Sequence, residues 1–156
     1  MNRWINFSDK EIEYLISKVD DEKIKTKLKK SLNIISISSR KSKGRNLQHY
    51  VCQRLSELLN ISYDQKDDNC LIHSREMGQS GTDVVLRGEA RKRFPYAIEC
   101  KSGESISLYS TVIQAKNNIN GYKNFIIVIK SKRFNEPLAI LEWKELEEIW
   151  RSKNEK

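Results

Sequence analysis

Gly81-Thr82-Asp83-Val84-Val85-Leu86, then Phe94-Pro95-Tyr96-Ala97-Ile98-Glu99-Cys100-Lys101, are the two runs on which the fold of this chain turns. Both are rich in β-branched, aromatic and other apolar residues, so each reads as a strand, over 82–86 and 94–101. Side chains alternate across a strand. Glu99 and Lys101 therefore share one face, and Ile98 and Cys100 turn the other way, towards a core. An acid and a base two apart at the end of an apolar strand contribute little to stability. Asp83 opens the preceding strand behind a glycine-containing turn. Paired as a hairpin, the strands bring Asp83 to Glu99 at one sheet edge. Two carboxylates there repel each other unless a cation lies between them.

Upstream, Arg75-Glu76-Met77-Gly78-Gln79-Ser80-Gly81 reads as a turn whose two glycines permit a tight path. It follows a strand over 70–73 and a polar loop over 64–69. Residues 46–59 carry Leu47, Val51, Leu55 and Leu58 as one helical stripe. The stretch 36–43, rich in Ser and basic residues, reads as a linker. Ahead of it, Ser8-Asp9-Lys10-Glu11 is a capping box that starts a helix bearing Ile12, Leu15, Ile16 and Val19. A second charged helix is expected over 21–32, with Ile24, Leu28 and Leu32 on one face. Downstream come a helix over 108–118, strands over 125–129 and 138–141, and a helix over 144–150. The main body thus reads helix, three strands, helix, two strands, helix. An N-terminal helical appendage (1–40) and a single α/β domain (41–156) follow from this order.

The chain of 156 residues favours one compact domain with a short appendage. Lys plus Arg exceed Asp plus Glu by 29 to 21, a formal net charge of +8, which attracts polyanions, nucleic acid foremost. The basic clusters 40–45, 91–93 and 130–133 are candidate phosphate contacts, with no aromatic platform beside them. Cys52, Cys70 and Cys100 are odd in number and widely spaced, with neither a disulfide framework nor a zinc motif. No apolar run approaches the roughly 18 residues of a membrane span. The opening Met1-Asn2-Arg3-Trp4 lacks a signal peptide's apolar core. A cytoplasmic protein with no membrane partner is the expectation.

Gly81-Thr82-Asp83-Val84-Val85-Leu86 followed by Ile98-Glu99-Cys100-Lys101 resembles the signature of PD-(D/E)xK nucleases, the superfamily of restriction endonucleases and archaeal Holliday-junction resolvases. Lys43-Gly44-Arg45-Asn46-Leu47-Gln48 is similar to the resolvase opening, in which a metal-site Glu follows a Gly by four residues. The stretch 75–81, with Phe94-Pro95-Tyr96, resembles small phage-encoded nucleases of this group. The likeness covers residues 43–141.

The resemblance implies a restriction-endonuclease-like fold, a mixed central sheet flanked by helices. It implies hydrolysis of DNA phosphodiesters with Mg²⁺ or Mn²⁺, plausibly at branched DNA, by a homodimer in the cytoplasm of a cell or of a phage host. Asp83 and Glu99 would ligate the metal with the carbonyl of Cys100, since Mg²⁺ takes about six oxygens and keeps several as water. Lys101 would orient the attacking water and stabilise phosphoryl charge. Gln48 stands where the resolvases have Glu. Gln114, in Ile113-Gln114-Ala115-Lys116, matches a helix glutamine beside the metal site. Lys43, Arg45, Arg75 and Lys116 are the expected DNA contacts. The alternatives are a nicking or general phage DNA-processing nuclease, a non-catalytic nucleic-acid-binding protein on the same fold, and an assembly protein with a basic surface.

Overall fold

A computed structural model describes residues 7–31, 37–76 and 78–154. The chain divides into two units, Met1–Ser39 and Arg40–Lys156. In the first, α1 (Asp9–Lys18) starts at the capping box: the Ser8 N–H donates to Glu11 Oε2 at 2.7 Å and the Glu11 N–H to Ser8 Oγ at 3.4 Å. Ile12 is buried, while Leu15, Ile16 and Val19 are half-buried. In α2 (Glu22–Ser31), Asp21 accepts from the Lys23 and Ile24 N–H groups. Ile24 is exposed and Leu28 half-buried, and Leu32 lies outside the described residues.

Residues 36–43 are not a linker: α3 runs from Ile37 to Leu59, and only Ser36 lies outside the described residues. Serine and basic residues are tolerable helix formers, and the cost of Gly44, about 1 kcal/mol, is small beside the apolar burial downstream. The buried stripe of α3 is Leu47, Val51, Cys52, Leu55 and Leu59, with Leu58 left 67% exposed. A spacing of three or four both fit helical periodicity, and the sheet under α3 selects the four.

The sheet has the order β1-β2-β3-β4-β5, from β1 (Ile72–Ser74), β2 (Val84–Leu86), β3 (Tyr96–Ser102), β4 (Asn124–Lys130) and β5 (Leu138–Ile140). β3 and β4 pair in parallel along their full length, and the other neighbours are antiparallel. The parallel step needs a crossover, which α5 (Leu108–Asn117) supplies. The protein is therefore α/β, with a mixed sheet flanked by helices. On one face Ile98 and Cys100 meet the α3 stripe, with Ile72, Val84 and Leu86. On the other, Ala97, Phe125 and Ile127 meet Ala115 and Val112 of α5.

A short helix, α4 (Gly88–Arg93), was not expected; six residues are too few to show a helical period. It converts the 91–93 basic cluster into structural groups. Arg91 stacks 4.2 Å from the Tyr122 ring and donates to the Asn120 carbonyl, and Arg93 donates to the Leu59 carbonyl. Lys130 likewise donates to the carbonyls of Phe134 and Asn135. The last helix, α6 (Trp143–Asn154), is anchored through buried Glu145, which accepts from Tyr96, Lys123 and Asn124.

Candidate active site

The site forms where β2 and β3 part. Their Cα register holds only at Val84↔Ile98, so Asp83 lies just outside β2, not within the strand as expected. Its backbone is still pinned: the Asp83 N–H donates to the Ile98 carbonyl at 2.9 Å, and its carbonyl accepts from the Arg75 N–H at 2.8 Å. Beyond this point the β3 amides lack a β2 partner, and the Asp83 side chain supplies one. Asp83 Oδ2 accepts from the Cys100 N–H at 2.7 Å, and Oδ1 accepts from Gln48 Nε2 at 3.0 Å. A residue on α3 and a strand end are thus held by one carboxylate.

Glu99 lies on the α5 side of β3 and is 2% exposed. Its Oε1 accepts from Lys101 Nζ at 2.7 Å, and the same ammonium donates to Gln114 Oε1 at 2.9 Å. Burial pushes the Glu99 carboxyl above its ordinary value of 4.5; the Lys101 hydrogen bond opposes this, and the neighbouring Asp83 charge adds to it. Burial likewise raises the Cys100 thiol well above its ordinary range, so its side chain is an inert part of the core. Among the described residues, the buried side-chain oxygens Glu99 Oε2 and Gln48 Oε1 have no hydrogen-bond partner. Leaving a buried carboxylate oxygen unpaired is expensive.

The donors able to hold a hard cation are therefore the carboxylates of Asp83 and Glu99 and the amide oxygen of Gln48. Among the described residues no three His, Cys, Asp or Glu side chains form such a group. The third side-chain oxygen is a neutral amide, which fits Mg²⁺ or Mn²⁺ better than a soft metal.

Arg75 is half-buried, with its Nε donating to the Thr82 carbonyl at 2.7 Å, and its guanidinium lies against Gly81. Gly81 has φ +110°, where a Cβ would come 3.0 Å from Arg75 Nη2, so the turn that delivers Asp83 needs glycine there. Lys43 lines a cleft of about 420 Å³ with Ser102 and Lys130. Arg45 is exposed, and its charge adds to burial in lowering the pKa of His49. Lys116 pairs with Glu142 at 2.7 Å. His49 bonds Tyr63, Gln65 and Ser74 and ties α3 to β1.

Asn118 was missed. Its Nδ2 donates to the Gly81 carbonyl at 3.1 Å, and its amide lies near enough to Glu99 to favour the ionised form. It clamps the Asp83 turn to α5. The only sequence signal for it is the spacing of four from Gln114, which puts both on one helix face.

No protein-family model, curated protein or solved structure matches this chain.

Proposed function

We propose that this chain is a divalent-metal-dependent DNA endonuclease with a restriction-endonuclease-like core of the PD-(D/E)xK kind. Mg²⁺ or Mn²⁺ is the cofactor, and duplex or branched DNA the substrate. The observation that carries this reading is the pairing of Asp83 with a buried Glu99 whose Oε2 has no partner among the described residues, beside Lys101. Setting a buried carboxylate beside a second, half-buried one is costly for stability and useful for holding a cation. Asp83 and Glu99 would hold the metal, with Gln48 Oε1 and the Cys100 carbonyl as further oxygens. When bound, the metal supplies Lewis acidity to a phosphodiester and makes hydroxide accessible near neutral pH.

The chain's own groups do the rest. Cys100 N–H and Gln48 fix the Asp83 rotamer, so its carboxylate needs no reorganisation. Gln114 and Glu99 hold the Lys101 ammonium where negative charge grows on a phosphoryl oxygen, an electrostatic contribution on the order of 10²–10³ in rate. Arg75 is half-buried at the rim, and the exposed Arg45 adds basic charge to α3. The net charge of +8 draws the polyanion in. Cutting two strands symmetrically suits a homodimer, and the cytoplasm of a cell or phage host is the expected compartment.

A second reading, a nucleic-acid-binding protein without catalysis, is favoured by one feature: Gln48 stands where a third carboxylate would strengthen the site. The test is incubation of a labelled four-way junction, a matched duplex and a single strand with Mg²⁺, Mn²⁺ or EDTA. Metal-dependent cutting abolished by Glu99→Gln and Lys101→Ala supports the nuclease, and paired nicks in the junction support branched DNA as its substrate. Tight binding without cutting under any metal supports the second reading instead.

A further inference from the structure

Because α3 begins at Ile37, Lys43, Asn46 and Tyr50 fall on one helical face, spaced by three and four residues. That face borders the cleft of about 420 Å³, whose far wall is the end of β3 and β4 and the turn through Asn135 and Glu136. The volume lies within the range of roughly 300–1,000 Å³ usual for small-ligand sites. Its place on the sheet ties it to the candidate active site. Lys101 and Ser102 are consecutive on β3, so Lys101 turns to the α5 face and Ser102 to the α3 face and the cleft. A chain crossing the end of β3 meets both.

The lining selects a ligand by its chemistry. Among the described residues the Lys43 ammonium, the Asn46 amide and the Ser102 hydroxyl make no side-chain hydrogen bond. Lys130 donates to the Phe134 and Asn135 carbonyls, which holds the turn and adds positive charge beside Lys43. Tyr50 is 41% exposed, and its hydroxyl donates to Glu136 Oε2 at 3.5 Å. The basic run 40–45 thus gains, two helical turns on, the aromatic ring that its immediate sequence lacks. An ammonium suits a phosphate, a ring suits a planar base, and amides both donate and accept. Glu136 repels a phosphate from its end of the cleft and accepts an exocyclic amino group there. Cytosine, adenine and guanine carry such an amine, and thymine carries none.

We propose that this cleft receives one unpaired nucleotide of a DNA strand, its phosphate at Lys43, its base on Tyr50 and its exocyclic amine on Glu136. A base inside a matched duplex is stacked and paired, so it enters such a cleft only once it leaves the stack. The favoured substrate therefore carries an unpaired nucleotide beside the cut, as single strands and open branch points do. The inference rests on the reading of this chain as one that acts on nucleic acid.

Fluorescence anisotropy of labelled all-cytosine and all-thymine oligomers of about 12 nucleotides tests it, with the full chain in EDTA at mildly alkaline pH. The wild type should bind the cytosine oligomer about tenfold tighter. Glu136→Ala should bring that ratio to about one, a readout that a change in overall charge leaves alone. Tyr50→Ala should weaken both oligomers about tenfold. Both side chains are exposed, so circular dichroism should stay at the wild-type signal. Equal binding of the two oligomers by the wild type overturns the proposal. So does a cytosine preference that Glu136→Ala leaves intact, or a Tyr50→Ala chain that binds as tightly as the wild type. Displacement of the oligomer by an equal concentration of 5′-dCMP overturns the strand as ligand and assigns the cleft to a free nucleotide. A chain that keeps the cytosine preference but cuts no DNA with any metal overturns the nuclease reading and leaves the cleft standing.

Discussion

Glu99 is the side chain on which the proposed function most depends. It is buried beside Asp83, and burial raises its carboxyl above the ordinary value of 4.5. A native carboxyl with a raised pKa binds a proton that the unfolded chain has released. Its contribution therefore favours folding most below 4.5 and is lost as pH rises through the native value. In EDTA, the difference in unfolding free energy between wild type and Glu99→Gln should move against the wild type across that window. Urea denaturation of both proteins as a function of pH measures it. A bound divalent cation reverses the balance: at about 100 times its Kd it should stabilise the wild type by about 2.7 kcal/mol, and Glu99→Gln should lose most of this. The alternation of a strand made Glu99 and Lys101 legible as a pair. Asn118 was not legible in that way, because its partner Gly81 is 37 residues away in sequence.

Among the elements, α3 and α4 differ most from a sequence-based reading. The α3 stripe passes through Leu59 and leaves Leu58 outside, which separates two nearby leucines energetically. Leu55→Ala should cost about 2–5 kcal/mol and Leu58→Ala less than about 0.5 kcal/mol, by chemical denaturation. In α6, burial raises the Glu145 carboxyl, but the Tyr96 hydroxyl, Lys123 and Asn124 outweigh it and hold the group below 4.5. The same contact, after burial, pushes the Tyr96 hydroxyl up to about 12. A lowered carboxyl stabilises the fold above its unfolded pKa, and the gain is lost as pH falls through the native value. Glu145→Gln should thus cost about 1–3 kcal/mol at pH near 7, the cost shrinking under acid conditions. Capping boxes and apolar strands are local devices, which is why α1 and β4 fall close to where the sequence puts them. The short α4 is not local, since the burial of its Ala90 depends on the rest of the core, and the start of α3 is carried by the apolar burial that begins at Leu47.

At the scale of the whole molecule, charge sets how the protein meets a polyanion. A net charge of +8 predicts binding to duplex DNA that weakens with salt, log K falling by about 0.9 per phosphate contacted for each tenfold increase in salt. Fluorescence anisotropy between about 50 and 200 mM salt reads that slope. Arg91, Arg93 and Lys130 bond the chain's own carbonyls, so their removal should lower stability more than it changes the slope. The sequence by itself determined the α/β class, the run of strands from 70 onward, and the facing of Glu99 with Lys101, because periodicity and strand alternation are properties of neighbouring residues. Only the tertiary structure decided that β2 and β3 part beside Asp83. The same holds for the Asp83 carboxylate taking the freed Cys100 amide, and for Glu99 Oε2 and Gln48 Oε1 being buried without partners among the described residues. These depend on distances between segments far apart in the chain, which the packing of α3 and α5 on the two faces of the sheet sets.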